Sequence, residues 1–143
     1  MFLFQPQHKI KKIGFEEIQM QINQKTVGPK KTIFINILPS NNQLCLIPST
    51  IDIHIEETLI NEILEGNEPI RNYSIFIYGE NSHAGTALEK KASEFIRLGF
   101  IDVSIYLGGM FEWLLLQDIY GNNEFPTTTK TLDILRYRPR PLL

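Results

Sequence analysis

The sequence predicts an α/β domain in which helices cover both faces of a central, mainly parallel β-sheet. Short apolar runs rich in β-branched residues alternate with segments whose apolar residues recur every three or four positions. Strands separated by helices of this length favour a parallel sheet covered on both sides. The 143 residues, 43% of them hydrophobic and 21% charged, suffice for one domain with a buried core. We therefore assign residues 1–143 to a single domain, with a core at about 10–118 and a C-terminal extension at 119–143.

The first half of the chain contains two predicted helices and one buried strand. Phe15 and Ile22 belong to a short amphipathic helix that is expected to end at Gly28-Pro29. The apolar run 32–38 predicts a buried strand, and 51–53 predicts a shorter one. The second helix carries its apolar stripe on five residues and ends at Gly66: Ile55, Leu59, Ile60, Ile63 and Leu64.

The second half repeats the alternation and indicates where a ligand would bind. Residues 74–78 predict a buried strand, and a helix after it is capped by Gly99. A strand at 103–106 and a fourth helix up to Ile119 complete the pattern. Ligands of parallel sheets bind beyond the carboxyl ends of the strands. We therefore expect the functional site in the loop after Tyr78.

Composition argues against several classes of partner and cofactor. A net charge of −2 argues against nucleic acid or lipid as a partner of the whole surface. No apolar run reaches the roughly 20 residues that span a bilayer. The single cysteine, Cys45, cannot form an internal disulfide, which favours a reducing, cytoplasmic compartment. The spacing of His, Cys, Asp and Glu predicts no metal site, and we expect no cofactor.

Two motifs in the second half carry a resemblance to a known family. The segment 98–103 reads LGFIDV, and the segment 107–113 reads LGGMFEW. Together they are similar to the closing half of a rhodanese domain, in which a GF-x-x-V step precedes a GG-x-x-x-W motif. In the first half, 15–18 resembles the first family helix and 46–49 (LIPS) resembles the family's HIPG turn. The resemblance covers about residues 10–118 and implies a rhodanese-like fold.

The resemblance also implies that the catalytic cysteine is missing. In the family this cysteine, which carries a persulfide or attacks phosphate, directly follows the fourth strand, and the corresponding residue here is Gly79. The family loop ends in an arginine or another donor and wraps its backbone N–H groups around an anion. The loop of this chain consists of Gly79, Glu80, Asn81, Ser82, His83, Ala84 and Gly85.

The residue types in this loop cannot perform the family's reaction. A persulfide needs a thiolate, and glycine has no side chain. Glu80 adds negative charge where an anion would bind, and neither Ala84 nor Gly85 can donate from a side chain. We therefore expect a catalytically inactive rhodanese-like domain that serves as a binding or structural module for a protein partner that the sequence does not specify.

Two alternatives remain open at the level of sequence. One is a sulfurtransferase or phosphatase-like enzyme with a non-standard active site. Cys45 has apolar neighbours and is expected to be a small buried hydrophobe rather than a relocated nucleophile. Ser82 and His83 lack an orienting carboxylate, so a nucleophile–base pair is not predicted.

The other alternative is a contact with an anion or nucleic acid through the C-terminal tail. Arg136, Arg138 and Arg140 alternate with Tyr137 and two prolines. An extended, solvated tail would turn every second side chain the same way and present three guanidinium groups to an acidic partner or a phosphate backbone.

Overall fold

The computed structural model describes residues 10–23 and 30–140. Its strands and helices follow one another in the order β1 (Lys11–Ile13), α1 (Phe15–Asn23), β2 (Lys31–Asn36), α2 (Glu56–Glu65), β3 (Tyr73–Tyr78), α3 (Gly85–Leu98), β4 (Asp102–Tyr106) and α4 (Gly109–Tyr120). All strand pairs are parallel, and the order across the sheet is β1-β4-β3-β2. The predicted α/β class and parallel sheet are confirmed.

Side chains of the central strand β3 alternate between two separate apolar layers. Ile75 and Ile77 lie in a layer with residues of α2 and α3, whereas Phe76 and Tyr78 lie in a layer with residues of α1 and α4. A parallel strand buried on both faces must be apolar at nearly every position, which explains the continuous apolar runs in the sequence. The predicted cover of helices on both faces of the sheet is confirmed.

Several predicted boundaries agree with the structure and others do not. Gly66 follows α2, and Gly99 follows α3 with a φ of 113°, a left-handed conformation that suits glycine. The predicted strand at 51–53 is wrong, because only Thr50 forms a single bridge, to Phe34 of β2. The expected helix end at Gly28-Pro29 lies outside the described residues. β1 was not predicted; it is a three-residue edge strand beside β4.

The C-terminal extension packs against the domain instead of extending into solvent. Phe125 and Tyr137 are buried in the apolar layer of α1 and α4, and a short 3₁₀ helix spans Ile134–Tyr137. Trp113 of α4 donates its indole N–H to the carbonyl oxygen of Pro126 at 2.9 Å. The expectation of a solvated, extended tail is therefore wrong at Tyr137, because burial of its ring stabilises the folded-back path.

A cluster of ionic hydrogen bonds holds the amino-terminal edge of the sheet together. The Asp102 carboxylate accepts from Lys11 Nζ and Lys30 Nζ, each at 2.9 Å, and from Ser74 Oγ at 2.6 Å. Burial opposes ionisation of this carboxyl, but the three donors outweigh burial and hold the pKa of Asp102 at about 2. The cluster thereby joins β1, β3 and β4.

The turn before the Thr50 bridge contains a strained residue. Ser49 has a φ of 69°, in the left-handed region that favours glycine. Next to it, the Tyr78 hydroxyl accepts from Ile47 N at 3.1 Å and bonds the Thr50 hydroxyl at 2.7 Å. These bonds tie the turn to β3 and hold Ser49 in its unfavourable conformation.

None of the helices in the described ranges is long and apolar enough to cross a membrane.

Candidate functional site

The loop predicted as the site begins at the carboxyl end of β3, where its first residue is buried. A Cβ atom added to Gly79 would lie 3.1 Å from Ala84 Cβ and 3.1 Å from Ile37 Cγ1. This spacing is tight but not prohibitive, since the neighbours would have to move by only a few tenths of an ångström. The site therefore has room for a small side chain at position 79, yet the chain places none there.

The amino-terminal end of α4 binds the backbone of this loop. Met110 N donates to Gly79 O at 3.0 Å, and Phe111 N donates to Glu80 O at 2.8 Å. The first N–H groups of a helix have no partner within the helix and often bind anions. Here two of them are already bound to carbonyl oxygens of the loop, so this helix end does not offer those donors to a ligand.

Gly109 makes the close approach of α4 to the loop possible. Its φ is 65°, and an added Cβ would lie 2.5 Å from Gly79 O and 2.9 Å from Asn81 N. No side chain fits at that distance from backbone atoms. Only glycine at position 109 allows α4 to approach the loop this closely, whereas Gly108 has an ordinary helical φ of −58°.

Asn81 uses two further backbone donors of the loop. Its side-chain Oδ1 accepts from His83 N at 2.9 Å, and its carbonyl oxygen accepts from Ala84 N at 3.1 Å. The residues from Ser82 to Ala84 form a short 3₁₀ helix that leads into α3, and Asn81 is the N-cap of this 3₁₀ helix. An anion cradle would need such N–H groups to be free, and these two are not.

The remaining side chains of the loop do not assemble into catalytic machinery. Ser82 and His83 are exposed, and within the described part of the chain no hydrogen bond joins the Ser82 hydroxyl to the His83 ring. Ala84 and Gly85 supply no donor, and Glu80 is half-buried.

The fold brings the loop and the arginine-rich tail into direct contact. Asn81 Nδ2 donates to the carbonyl oxygen of Tyr137 at 2.8 Å, although the two residues are 56 positions apart in sequence. Both residues are buried, so the loop and the tail meet through an interior contact at Asn81 and Tyr137.

The arginines of the tail, Arg136, Arg138 and Arg140, are exposed. The Arg136 guanidinium lies over the Tyr137 ring, 5.9 Å from its centroid. Arg138 donates from Nη1 to the carbonyl oxygen of Leu135 at 2.8 Å. Exposure alternates along 136–140, with Tyr137 buried and Pro139 half-buried between the three exposed arginines, although the backbone is a 3₁₀ helix up to Tyr137 and not extended throughout.

Cys45 is buried, as predicted, and contacts the tail. Its thiol donates to the carbonyl oxygen of Thr129 at 3.3 Å. Burial raises the pKa of the Cys45 thiol above its usual value, which disfavours the thiolate that a nucleophile requires. Cys45 therefore lies in a structural contact between the 44–46 segment and the tail.

Within residues 10–23 and 30–140, no three His, Cys, Asp or Glu side chains are arranged so that they could hold a metal ion.

The sequence matches no protein-family model and no curated protein. The likeness to rhodanese domains therefore depends on the motifs quoted above.

Sequence reasoning singled out the loop and the tail separately but did not predict the contact that Asn81 and Tyr137 make between them. Asn81 precedes a helix, and an asparagine in that position is a recognised N-cap signal that could have identified its backbone role. Tyr137 had no comparable signal, because an aromatic residue between arginines suits an exposed tail equally well.

Proposed function

We propose that this chain is a rhodanese-like domain without catalytic chemistry, acting as a protein-binding or structural module. The observation that carries the proposal is Gly79, which occupies the position of the family's nucleophile and whose carbonyl is hydrogen-bonded to the first turn of α4. A reacting side chain is absent there, and the backbone is held in place by the next helix. The single cysteine favours a reducing, cytoplasmic setting for this role.

The surroundings of Gly79 support the proposal in two further ways. Sulfur and phosphoryl transfer both need donors aimed at the charge that develops on the reacting group. In this loop Asn81 and α4 use backbone groups internally, and Glu80 contributes negative charge. A partner with hydrogen-bond donors suits the exposed Ser82 hydroxyl and the Glu80 carboxylate better than a small anion does.

The direct test is an assay of the purified chain for thiosulfate:cyanide sulfurtransferase and aryl phosphatase activity. Both rates are expected to equal the buffer rate. The control is Cys45→Ser, which removes the one sulfur nucleophile while leaving Gly79 unchanged. Turnover that disappears in Cys45→Ser would contradict the proposal and reveal a relocated thiol, and turnover that persists would reveal another nucleophile.

A second test restores the missing sulfur by Gly79→Cys. We expect a thiol that reacts with a disulfide reagent but little sulfurtransferase turnover, because the anion donors are still missing. Gly79→Cys/Ala84→Arg adds one donor at the residue whose Cβ lies 3.1 Å from the position of a Cβ at 79. Strong activity in the single variant would show that the anion cradle is intact and that one substitution alone removed the chemistry.

A further inference from the structure

Helix α4 is apolar on nearly all its faces, yet part of it is exposed. Its sequence from Gly109 to Tyr120 contains only three polar or charged side chains, Glu112, Gln117 and Asp118. Leu115 and Ile119 lie one turn apart on its outer side and are 40% and 68% exposed. A helix that is apolar all round is normally buried all round. Binding of a partner over the outer face of α4 would therefore bury exposed apolar side chains and be stabilised by that burial.

A groove runs between α4 and the folded-back tail. Its volume is about 520 Å³, and Leu114 and Ile134 supply buried and half-buried apolar surface to it. Leu132 lines the tail side and is 87% exposed, while Asp118 lines the helix side one turn from Leu115. This volume lies in the range of pockets that accept several side chains of a ligand.

The tail segment 130–140 carries positive charge without internal ion pairs; its residues Lys130, Thr131, Leu132 and Ile134 line the groove, and its three arginines follow them in the chain. Elsewhere in the described residues five lysines form ion pairs with carboxylates: Lys11, Lys12, Lys30, Lys31 and Lys91. Residues 130–140 contain four cations, namely Lys130 and three arginines, and none of them has such a pair among the residues that the structure describes. Asp133 is the one carboxylate in that segment, and Asp118 is the one that lines the groove.

The tail is held in this position before any partner binds. Tyr137 is buried, its carbonyl is bonded by Asn81, and Thr128 N donates to Leu46 O at 2.8 Å. A surface that is already ordered loses little conformational entropy when it binds.

From the groove, the exposed leucines and the unpaired cations, we propose that α4 and residues 130–140 bind an acidic amphipathic segment of a partner protein. Apolar side chains of the partner enter the groove over Leu132 and Leu114, and its carboxylates meet Arg136, Arg138 and Lys130. Charge complementarity selects such a partner, because the segment carries four cations against one carboxylate. Asp118 disfavours a carboxylate in the groove itself and so favours apolar residues there. This inference rests on the proposed function as a binding module and names its surface.

The probe is a fluorescein-labelled synthetic peptide of about 15 residues, or four helical turns, with leucines along one face and glutamates elsewhere. Fluorescence anisotropy is measured with the full chain at low and at physiological ionic strength. Saturable binding that weakens with added salt is expected. A matched peptide with glutamine in place of glutamate is expected to bind about fivefold more weakly, since exposed charge pairs contribute little each.

Two variants locate the binding surface on the protein. Leu132→Ser removes a highly exposed leucine of the groove, and Arg136→Gln/Arg138→Gln removes two positive charges of the tail. Each variant is expected to bind the glutamate peptide at least about fivefold more weakly than the wild type. The matched controls are Leu98→Ser, an exposed leucine at the end of α3, and Arg71→Gln/Arg97→Gln, two exposed arginines elsewhere. Both controls are expected to bind like the wild type.

Four results would overturn the inference. They are the absence of saturable peptide binding, equal weakening in the control variants, tighter binding of an oligothymidylate of the same length, and a dimer in sedimentation that Leu132→Ser dissociates. The last two would assign the surface to nucleic acid and to a second copy of this chain. None of these readouts depends on catalysis, whereas the proposed function fails only if turnover is found, so the two failures are distinguishable.

Discussion

Replacing Gly109 by alanine perturbs the contact on which the shape of the site loop depends. An added Cβ at this position would lie 2.5 Å from Gly79 O, 2.9 Å from the Glu80 carbonyl carbon and 2.9 Å from Asn81 N. These are backbone atoms, so no side-chain rotation relieves the overlap. Either α4 or the loop must move.

The cost follows from three contributions. A left-handed φ of 65° costs a non-glycine residue about 1–2 kcal/mol. Separating α4 from the loop stretches the bonds from Met110 N to Gly79 O and from Phe111 N to Glu80 O, each contributing about 1 kcal/mol. The expected loss in the free energy of unfolding is about 3–4 kcal/mol, a large part of the roughly 5–15 kcal/mol of a typical domain.

The adjacent glycine provides the matched control. Gly108 has helical dihedral angles, and an added Cβ would meet only the Glu112 carboxylate, the end of a flexible side chain that accepts from the Tyr106 hydroxyl. Alanine fits these dihedral angles, and weakening of that one bond costs about 1 kcal/mol, so Gly108→Ala is expected to lie within about 1 kcal/mol of the wild type.

Urea unfolding measures both variants, followed by circular dichroism and by the fluorescence of Trp113, the only tryptophan. A Gly109→Ala protein too unstable to fold would show no cooperative transition while Gly108→Ala shows one. If Gly109→Ala instead unfolds within about 1 kcal/mol of the wild type, the argument that α4 and the loop share a rigid backbone contact is refuted.

Three further predictions concern other parts of the fold. Trp113→Ala is expected to lower the free energy of unfolding, measured in urea, by about 3–5 kcal/mol, because the buried Trp113 ring packs against aromatic neighbours on two sides. An unchanged unfolding curve would exclude a core role. Ser49→Gly is expected to raise the free energy of unfolding by about 0.5–1 kcal/mol, because glycine adopts a φ of 69° without strain. The control Ser40→Gly, in a turn without positive φ, is not expected to raise it. Equal effects of the two substitutions would argue against strain at Ser49. The pKa of Asp102 in the folded chain, about 2, lies below its usual 3.8. The free energy of unfolding of the wild type is therefore expected to fall by about 1–2 kcal/mol, after allowance for screening by solvent, as the pH falls from about 5 to 2. Asp102→Asn should lack this component of the pH dependence, and parallel pH profiles of the two proteins would contradict it.

The prediction of the fold succeeded where local pattern is decisive. Strand β3 is apolar from Ile75 to Tyr78 because both its faces are buried, and α1, α2 and α3 show apolar stripes, so the alternation indicates a two-sided parallel sheet. β1 escaped prediction because it has three residues, two of them exposed lysines, and pairs on one edge only. The strand predicted at 51–53 is wrong because Ile51 packs against the core while the segment joins the sheet only at the Thr50 bridge.

The candidate site divides in the same way. The lack of a side chain at Gly79 can be read directly from the sequence. Its meaning as a lost nucleophile belongs to the proposed rhodanese-like function. Other features of the site are contacts between segments that are distant in sequence, and no local pattern encodes them. They are the close contact of Gly109 with the loop, the hydrogen bonds from the first turn of α4 to the loop, and the bond between Asn81 and Tyr137.

The sequence by itself thus determined the α/β class, the two-sided burial of the strands and the absence of a side chain at position 79. Only the tertiary structure decided that the tail folds back, that Asn81 bonds Tyr137 and that a groove forms beside α4. The physical reason is that periodicity specifies which face of an element is buried but not which distant segment buries it. Closing a long loop costs little more entropy than closing a short one, so the burial of Phe125 and Tyr137 and a few hydrogen bonds decide the outcome.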